Sequence, residues 1–208
     1  FTLTYGDASA ESVLYVIAQG GTLNPGNGPN AAISLLSILG GTPPKKIVVN
    51  EFTTIASAWT ANQFLQGEVL SGKALGLRIA AGNIGNFVDL STGGFGTTIQ
   101  DGLNSSQTPT MANFATLANI LAGAITQATP DAASQLFVAA TSPTGTVPAD
   151  TLAAAQNIVS YPGHEAAKVF ALLNTYYPIP KGKKMRPTPF LPYLDFAPSA
   201  WVFPLKFV

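Results

Sequence analysis

The feature that most constrains the fold is a run of apolar residues at helical spacing in the middle of the chain. Thr108 and Pro109 precede the run, and proline is tolerated in the first turn of a helix. The pattern predicts an amphipathic core helix over residues 108–127. Five apolar residues follow one another at steps of 3, 4, 3 and 4: Met111, Phe114, Ala118, Leu121 and Ile125.

Shorter stretches of the same periodicity predict further helices on both sides of this one. Asn50 is suited to cap one of them, and the Gly and Pro residues at 40–44 would end another. The sequence therefore predicts a compact bundle of about six or seven short helices. The further helices would cover residues 32–39, 52–59, 73–81, 130–137, 152–159 and 166–177.

Both ends of the chain have patterns that are typical of β-strands. Residues 1–5 alternate apolar side chains with threonine, and residues 13–18 form a short apolar run that suits a strand buried on both faces. Large apolar residues alternate again over residues 201–208, where Pro204 indicates a strand at a sheet edge. The predicted fold class is α+β, mostly α, with β-strands at both chain ends.

Composition divides the chain into three regions. Residues 1–21 would be terminal β-strands, residues 22–177 a helical body, and residues 178–208 a Pro-rich basic tail that ends in an edge β-strand. The tail holds seven of the 16 prolines, which excludes a regular helix there. Five basic residues against Asp195 give the tail a net charge of +4, and because the whole chain is neutral the rest carries −4.

The composition also excludes several classes of protein. Only 10% of the residues are charged, against about 25% in an average soluble domain. A neutral chain lacks the basic patch that nucleic-acid binding requires, and no apolar run is long enough for a membrane span. Cysteine is absent, which excludes thiolate metal sites. A surface rich in Thr, Asn and Gly favours an exported bacterial protein, extracellular or at the cell surface.

Five stretches of the sequence together carry a resemblance to a known family: Val49–Thr54, Leu77–Asn83, Asn86–Leu90, Pro189–Tyr193 and Phe196–Trp201. They resemble the helical region of secreted bacterial proteins that carry NHL-type β-propeller repeats. In that family the region lies between a small immunoglobulin-like, carboxypeptidase-regulatory-like domain and the propeller. The resemblance implies that residues 1–21 end such a β-domain and that residues 201–208 lead into the propeller. It implies no activity and no functional residue.

No motif of catalysis is present in the sequence. The single histidine, His164, precedes Glu165 at what looks like a helix start, so we expect it to have a structural role. The carboxylates are dispersed, although folding could gather Glu51, Asp89 and Asp101. The glycine-rich stretches lack the context of a phosphate-binding loop. We therefore expect no catalytic residue, no metal ligand and no cofactor.

The tail contains a small cluster of basic residues that could bind anions or acidic glycans. Four charges in isolation produce a weak field, and a solvated loop is the ordinary explanation of such a run. The sequence therefore leaves both interpretations open. The residues are Lys181, Lys183, Lys184 and Arg186.

The leading functional hypothesis is a non-catalytic structural or interaction module that self-associates through its terminal strands into an extracellular assembly. Its partners would be other domains of a longer chain or copies of itself. One alternative is a hydrolase or lyase with a carboxylate-based site. Another is a carbohydrate- or surface-binding module, which exposed aromatic rings at Trp59, Tyr176, Tyr177 or Tyr193 would favour. The proposed interaction residues are Phe1, Leu3, Tyr5, Trp201, Phe203, Leu205 and Phe207.

Overall fold

The computed structural model describes residues 2–4, 9, 11–22 and 28–207. Helices predominate over strands in this part of the chain, which confirms the α+β, mostly helical class. The strands are β1 (Leu14–Gln19), β2 (Ser34–Gly40), β3 (Leu65–Gln66) and β4 (Val69–Leu70). The helices are α1 (Glu51–Thr60), α2 (Ala74–Ile84), α3 (Thr97–Gln100), α4 (Gly102–Ser105), α5 (Thr110–Ile125), α6 (Ala132–Ala139), α7 (Thr151–Ser160) and α8 (Ala166–Tyr176).

Helix α5 is the centre of the body, as its apolar spacing predicts. All of its residues except Met111 and Ala112 are buried, and it contacts α1, α6, α7 and α8. The helix approaches α8 so closely at Gly123 that a Cβ atom there would collide with the ring of Tyr176. A residue without a side chain is therefore required where the two helices touch.

The longer helices match the sequence-based expectation in number and position. Six of them have eight or more residues, while α3 and α4 are single turns of four residues each. The predicted cap of α1 is present as a reciprocal pair. The Thr53 N–H donates to Asn50 Oδ1 at 3.0 Å, and the Asn50 N–H donates to Thr53 Oγ1 at 2.9 Å.

The helix predicted over residues 32–39 was wrong, because Ser34–Gly40 form strand β2. Strand β2 pairs antiparallel with β1, so that Ala18 lies opposite Leu35. Leu36 and Ile38 are almost completely buried, and a strand buried on both faces has a nearly continuous apolar sequence. Such a run also satisfies helical spacing, so the local pattern did not separate the two structures.

The edge of β2 that faces away from β1 is closed by helices α1 and α7. Three backbone N–H groups of β2 donate to hydroxyl oxygens on those helices instead of to a third strand. Because these hydroxyls satisfy the backbone, β2 cannot pair with another chain on this side. The bonds run from Ser34 to Thr151 at 3.0 Å, from Leu36 to Thr54 at 3.0 Å and from Ile38 to Ser57 at 3.1 Å.

The C-terminal tail does not form the edge strand that its alternation predicts. Residues 201–207 are not paired with any strand of the described chain, and the tail instead crosses the body in contact with α5. At the other end, residues 2–4 are not in a strand, and Phe1 and Tyr5 lie outside the described residues. Side chains of α4 and α5 bind the tail's backbone at several positions, and the Trp201 N–H donates to the Pro162 carbonyl at 2.8 Å, so the tail is held without a partner strand.

Candidate functional site

The predicted interaction residues at the two ends of the chain lie in different environments. Trp201 and Phe203 are fully buried, with exposed fractions of 0% and 1%. Leu205 is half-buried against the core, and Phe207 is 68% exposed. Leu3 is exposed as well, while Phe1 and Tyr5 fall outside the described residues. The apolar face of the tail is therefore largely covered within this chain.

Five polar side chains of α4 and α5 hold the backbone of the tail. Four of them follow one another at steps of three residues along α5, so they form a row that is inclined to the helix axis and follows the tail across it. We call the surface formed by these five side chains the tail groove. The pairs are Asn104 with Lys206, Thr110 with Pro204, Asn113 with Val202, Thr116 with Leu194 and Asn119 with Phe190.

Two asparagines of the tail groove bind the tail in both directions. Asn119 Nδ2 donates to the Phe190 carbonyl at 2.9 Å, and the Phe190 N–H donates to Asn119 Oδ1 at 2.9 Å. Asn104 makes the same pair of bonds with Lys206, at 2.9 and 2.8 Å. A side-chain amide has the donor and acceptor of a peptide group, so each asparagine replaces one residue of a neighbouring strand.

Aromatic rings of the tail complete the core of the body. The Phe203 ring lies edge-on to Phe114, with 5.5 Å between ring centroids, and 5.2 Å from the ring of Trp59. The Phe190 ring lies 4.4 Å from that of Phe52. The tail is therefore fixed both by main-chain hydrogen bonds and by buried rings.

Sequence reasoning missed the tail groove, although a signal for it is present. Thr110, Asn113, Thr116 and Asn119 recur at steps of three in a helix that is otherwise apolar and buried. Polar side chains in a buried helix need hydrogen-bond partners. Their regular spacing could have predicted that something polar, such as an extended backbone, crosses α5 along this inclined row.

Strand β1 differs from the tail because one of its edges has no partner in the described part of the chain. The Gly20 N–H donates to the Ile33 carbonyl at 2.9 Å, so the even-numbered residues of β1 face β2. Since backbone groups alternate along a strand, those of Tyr15, Ile17 and Gln19 point away from β2. We call this row of backbone groups the β1 edge. The strand itself contains no charged residue and no proline, the usual protections of an edge. One charge lies beside it, because the side chain of Gln19 donates to the Glu68 carboxylate.

The basic cluster of the tail is divided by the fold. Lys181, Lys183 and Lys184 are exposed. Arg186 is half-buried, and its guanidinium donates to the Tyr177 carbonyl at 3.0 Å and to the side chain of Asn174. Arginine therefore stabilises the carboxyl end of α8, and anion binding by this cluster stays a prediction that depends on the three lysines.

The candidate catalytic groups do not form a site in the part of the chain that the structure describes. His164 is exposed, and no hydrogen bond joins its imidazole to a described hydroxyl. The side chain of Asp89 accepts hydrogen bonds from Ser91, and that of Asp101 caps α4. Among the described residues, no group of three or more His, Asp and Glu side chains is close enough to hold a metal ion.

Among the described residues, Glu51 is the carboxylate whose pKa is changed mainly by burial. Burial raises the pKa of Glu51, and a hydrogen bond from its own backbone N–H partly opposes this. Burial, and then the charge of Glu51, raise the pKa of Tyr177 to about 12. A carboxylate with a tyrosine neighbour does not supply the carboxylate pair that a glycosidase-like or lyase-like site would use.

The aromatic residues that would favour a carbohydrate site are mostly packed into the fold. Tyr176 is buried, and its hydroxyl donates to the Ala132 carbonyl at 2.6 Å. Tyr177, Tyr193 and Trp59 are half-buried. A neutral cleft of about 340 Å³ does lie beside Trp59, and the exposed ring of Phe207 lines it as well.

Comparisons with protein-family models, with curated proteins and with solved structures find no match to this chain. None of the described helices has the length and apolar character that crossing a membrane requires. The contacts of the chain itself, above all those of the tail groove and the β1 edge, are therefore the basis for a functional inference.

Proposed function

We propose that this chain is a non-catalytic interaction module that joins copies of itself by extending the sheet at the β1 edge. One observation carries the proposal: the outward backbone groups of Tyr15, Ile17 and Gln19 have no partner among the described residues. An uncharged, extended edge of this kind is a template for a strand from another chain. The opposite edge of the hairpin is closed by hydroxyl groups, so association is directed to one side.

We propose a symmetric contact centred on Ile17. In an antiparallel pair of β1 edges, Ile17 of one copy lies opposite Ile17 of the other, and Tyr15 lies opposite Gln19. Each copy uses the same surface, which is the closed two-fold arrangement most common among oligomers. The product is a four-stranded sheet, which is more stable than an isolated two-stranded hairpin.

The setting of the module is part of the same proposal. The low charge and the abundance of Thr, Asn and Gly support an exported bacterial protein that works in an extracellular assembly. The resemblance to the helical region of NHL-repeat proteins is the reason to propose a β-domain before this module. A strand of that domain would find the same β1 edge, so a longer chain could use it for contacts between domains.

A substitution at Tyr15 tests the proposal, because this residue is 37% exposed and its N–H points outward. Proline at an outward position of an edge strand leaves the pairing with β2 intact but removes the outward donor. We expect Tyr15→Pro to abolish self-association in sedimentation-velocity runs over a range of concentrations. Tyr15→Thr, which keeps the N–H and favours a strand, is the matched control and should associate like the wild type.

Two results would contradict the proposal. One is a wild-type chain that stays monomeric up to the highest concentration at which it is soluble. The other is association of Tyr15→Pro with the same dimer dissociation constant as Tyr15→Thr, since the contact would then not use the β1 edge.

A further inference from the structure

The tail groove recognises the tail chiefly through main-chain atoms. Asn119 and Asn104 bind both the N–H and the carbonyl of one tail residue each. Asn113 donates to the Val202 carbonyl at 2.9 Å, and the Leu194 N–H donates to Thr116 Oγ1 at 2.8 Å. Backbone atoms are the same in every copy of the chain. These bonds therefore do not require that tail and groove belong to one molecule.

Side-chain pockets make this recognition selective. Trp201 and Phe203 point into the body and are fully buried, while Val202 and Pro204 between and after them are exposed. The groove thus fits an extended segment in which two aromatic residues flank one exposed residue and a proline follows. A second copy of this chain presents such a segment in its own tail.

The connection between α8 and the docked tail is weakly held. Residues 178–185 are all exposed, and their own backbone contributes a single turn bond, from the Lys183 N–H to the Pro180 carbonyl at 3.0 Å. Prolines at 178 and 180 favour an extended connector. The connector also carries Lys181, Lys183 and Lys184, and like charges in a linker favour an extended path.

From these contacts we propose that the tail groove also binds the tail of a second copy, so that two chains exchange their tails. The exchanged dimer keeps every hydrogen bond of the tail groove and changes only the path of residues 178–185. Exchange uses a surface distinct from the β1 edge and does not depend on the function proposed above. Together the two contacts would link copies in series.

Single cysteines test the exchange directly, because the natural chain contains none. One full-length population carries Thr116→Cys in the groove, and a second carries Leu194→Cys in the tail. The two are mixed, unfolded, refolded together at high concentration and oxidised. A disulfide between them forms only where the tail of one chain lies in the groove of the other. Both also carry Tyr15→Pro, which removes association through the β1 edge.

Phe196→Cys replaces the tail cysteine in the control mixture, because Phe196 is 83% exposed and points away from the groove. We expect at least tenfold more covalent dimer from the groove–tail mixture than from this control. Equal yields overturn the proposal. A chain with Thr116→Cys and Leu194→Cys together should close an internal disulfide, which shows that the variants fold.

A second pair, Thr110→Cys with Leu205→Cys, repeats the test if either first variant fails to fold, because Thr110 binds the neighbouring Pro204 carbonyl and Leu205 packs against the core. Its yield relative to Phe196→Cys is judged by the same tenfold criterion. Equal disulfide yields would overturn the exchange but would not affect the association that depends on Tyr15. A monomeric wild type would overturn association at the β1 edge but would not affect the disulfide yield. The two proposals can therefore fail separately.

Discussion

Strand β1 and the C-terminal tail are both extended apolar segments, but they satisfy their backbones differently. Strand β1 pairs with β2 on one side, and its other side has no partner among the described residues. The tail has no strand beside it in the described chain, yet α4 and α5 bind its backbone at five positions through Asn and Thr side chains. The availability of an extended segment to other chains therefore depends on whether its backbone is already bonded.

Proline strengthens this contrast. The tail contains Pro198 and Pro204, which have no N–H group and so reduce the number of donors that the groove must satisfy. Strand β1 contains no proline, and every residue in it keeps a donor and an acceptor. The tail can thus be held by a few side chains, whereas β1 needs a continuous strand on each side.

The largest expected effect comes from removing the main anchor of the tail. Trp201→Ala empties a fully buried position and should lower the free energy of unfolding by about 3–5 kcal/mol. Phe207→Ala, at an exposed position of the same tail, should change it by less than about 0.5 kcal/mol. Urea denaturation midpoints measure both. Equal midpoints for Trp201→Ala and the wild type would show that the tail does not contribute to the core.

The next prediction concerns the hydrogen bonds of the tail groove. Asn119→Ala removes the partner of both the N–H and the carbonyl of Phe190, and should destabilise the chain by about 1–3 kcal/mol, the cost of unsatisfied buried groups. Gln63→Ala, at an exposed position, is the control. If the two variants have the same urea midpoint, water replaces the asparagine without a loss of stability. The hydrogen bonds of Asn119 to Phe190 would then not stabilise the docked tail.

A smaller effect separates the two edges of β1. Val16→Pro removes an N–H that faces β2 and should cost about 0.5–1.5 kcal/mol more than Tyr15→Pro, the net contribution of one hydrogen bond. Thermal unfolding of the two variants at a concentration where both are monomeric provides the comparison. The reverse order would mean that the outward and inward sides of β1 have been assigned incorrectly.

The smallest expected effect is a change in stability with pH that depends on Glu51. Glu51 lies near Tyr177, and the Tyr177 carbonyl accepts a hydrogen bond from Arg186 of the tail. Burial raises the pKa of Glu51 above 4.5 in the folded state, so the folded chain binds this proton more tightly than the unfolded chain. The stability that protonation provides is complete below pH 4.5 and is lost as the pH rises through the raised pKa. Glu51→Gln should therefore unfold at the wild-type temperature in acid but at a higher temperature at neutral pH.

A second measurement on Glu51→Gln checks whether the charge of Glu51 acts on Tyr177. The charge of Glu51 helps to raise the pKa of Tyr177 to about 12, so the phenol should ionise at lower pH in this variant when titrated by ultraviolet absorbance. Glu11→Gln, at an exposed position, is the control. An unchanged tyrosine titration would show that the two side chains are not electrostatic neighbours.

Local patterns in the sequence predicted most of the helices. The spacing around Phe114 predicted α5, and Asn50 with Thr53 forms the cap expected for α1. The error at residues 32–39 has a physical origin. A strand buried on both faces and a buried helix have similarly continuous apolar sequences, so only the position of neighbouring elements distinguishes them.

In the tail, too, the local pattern did not identify the hydrogen-bond partners of the backbone. The alternation over residues 201–207 predicted one buried apolar face. Trp201 and Phe203 of that face are buried, whereas Leu205 is half-buried and Phe207 is 68% exposed. The predicted edge strand was not found, because burial alternates in any extended segment whatever satisfies its backbone. The partner turned out to be a row of side chains on a helix.

The sequence by itself determined the fold class, the central helix and the alternation of buried residues in the tail, because these depend on spacing within one segment. The tertiary structure alone decided that β2 is a strand, that the tail binds α5 and that one edge of β1 is left without a partner among the described residues. Those outcomes depend on hydrogen bonds between groups as far apart in the chain as Asn104 and Lys206. Local periodicity carries no information about such pairs, since it records only how neighbouring side chains divide between apolar and polar surroundings.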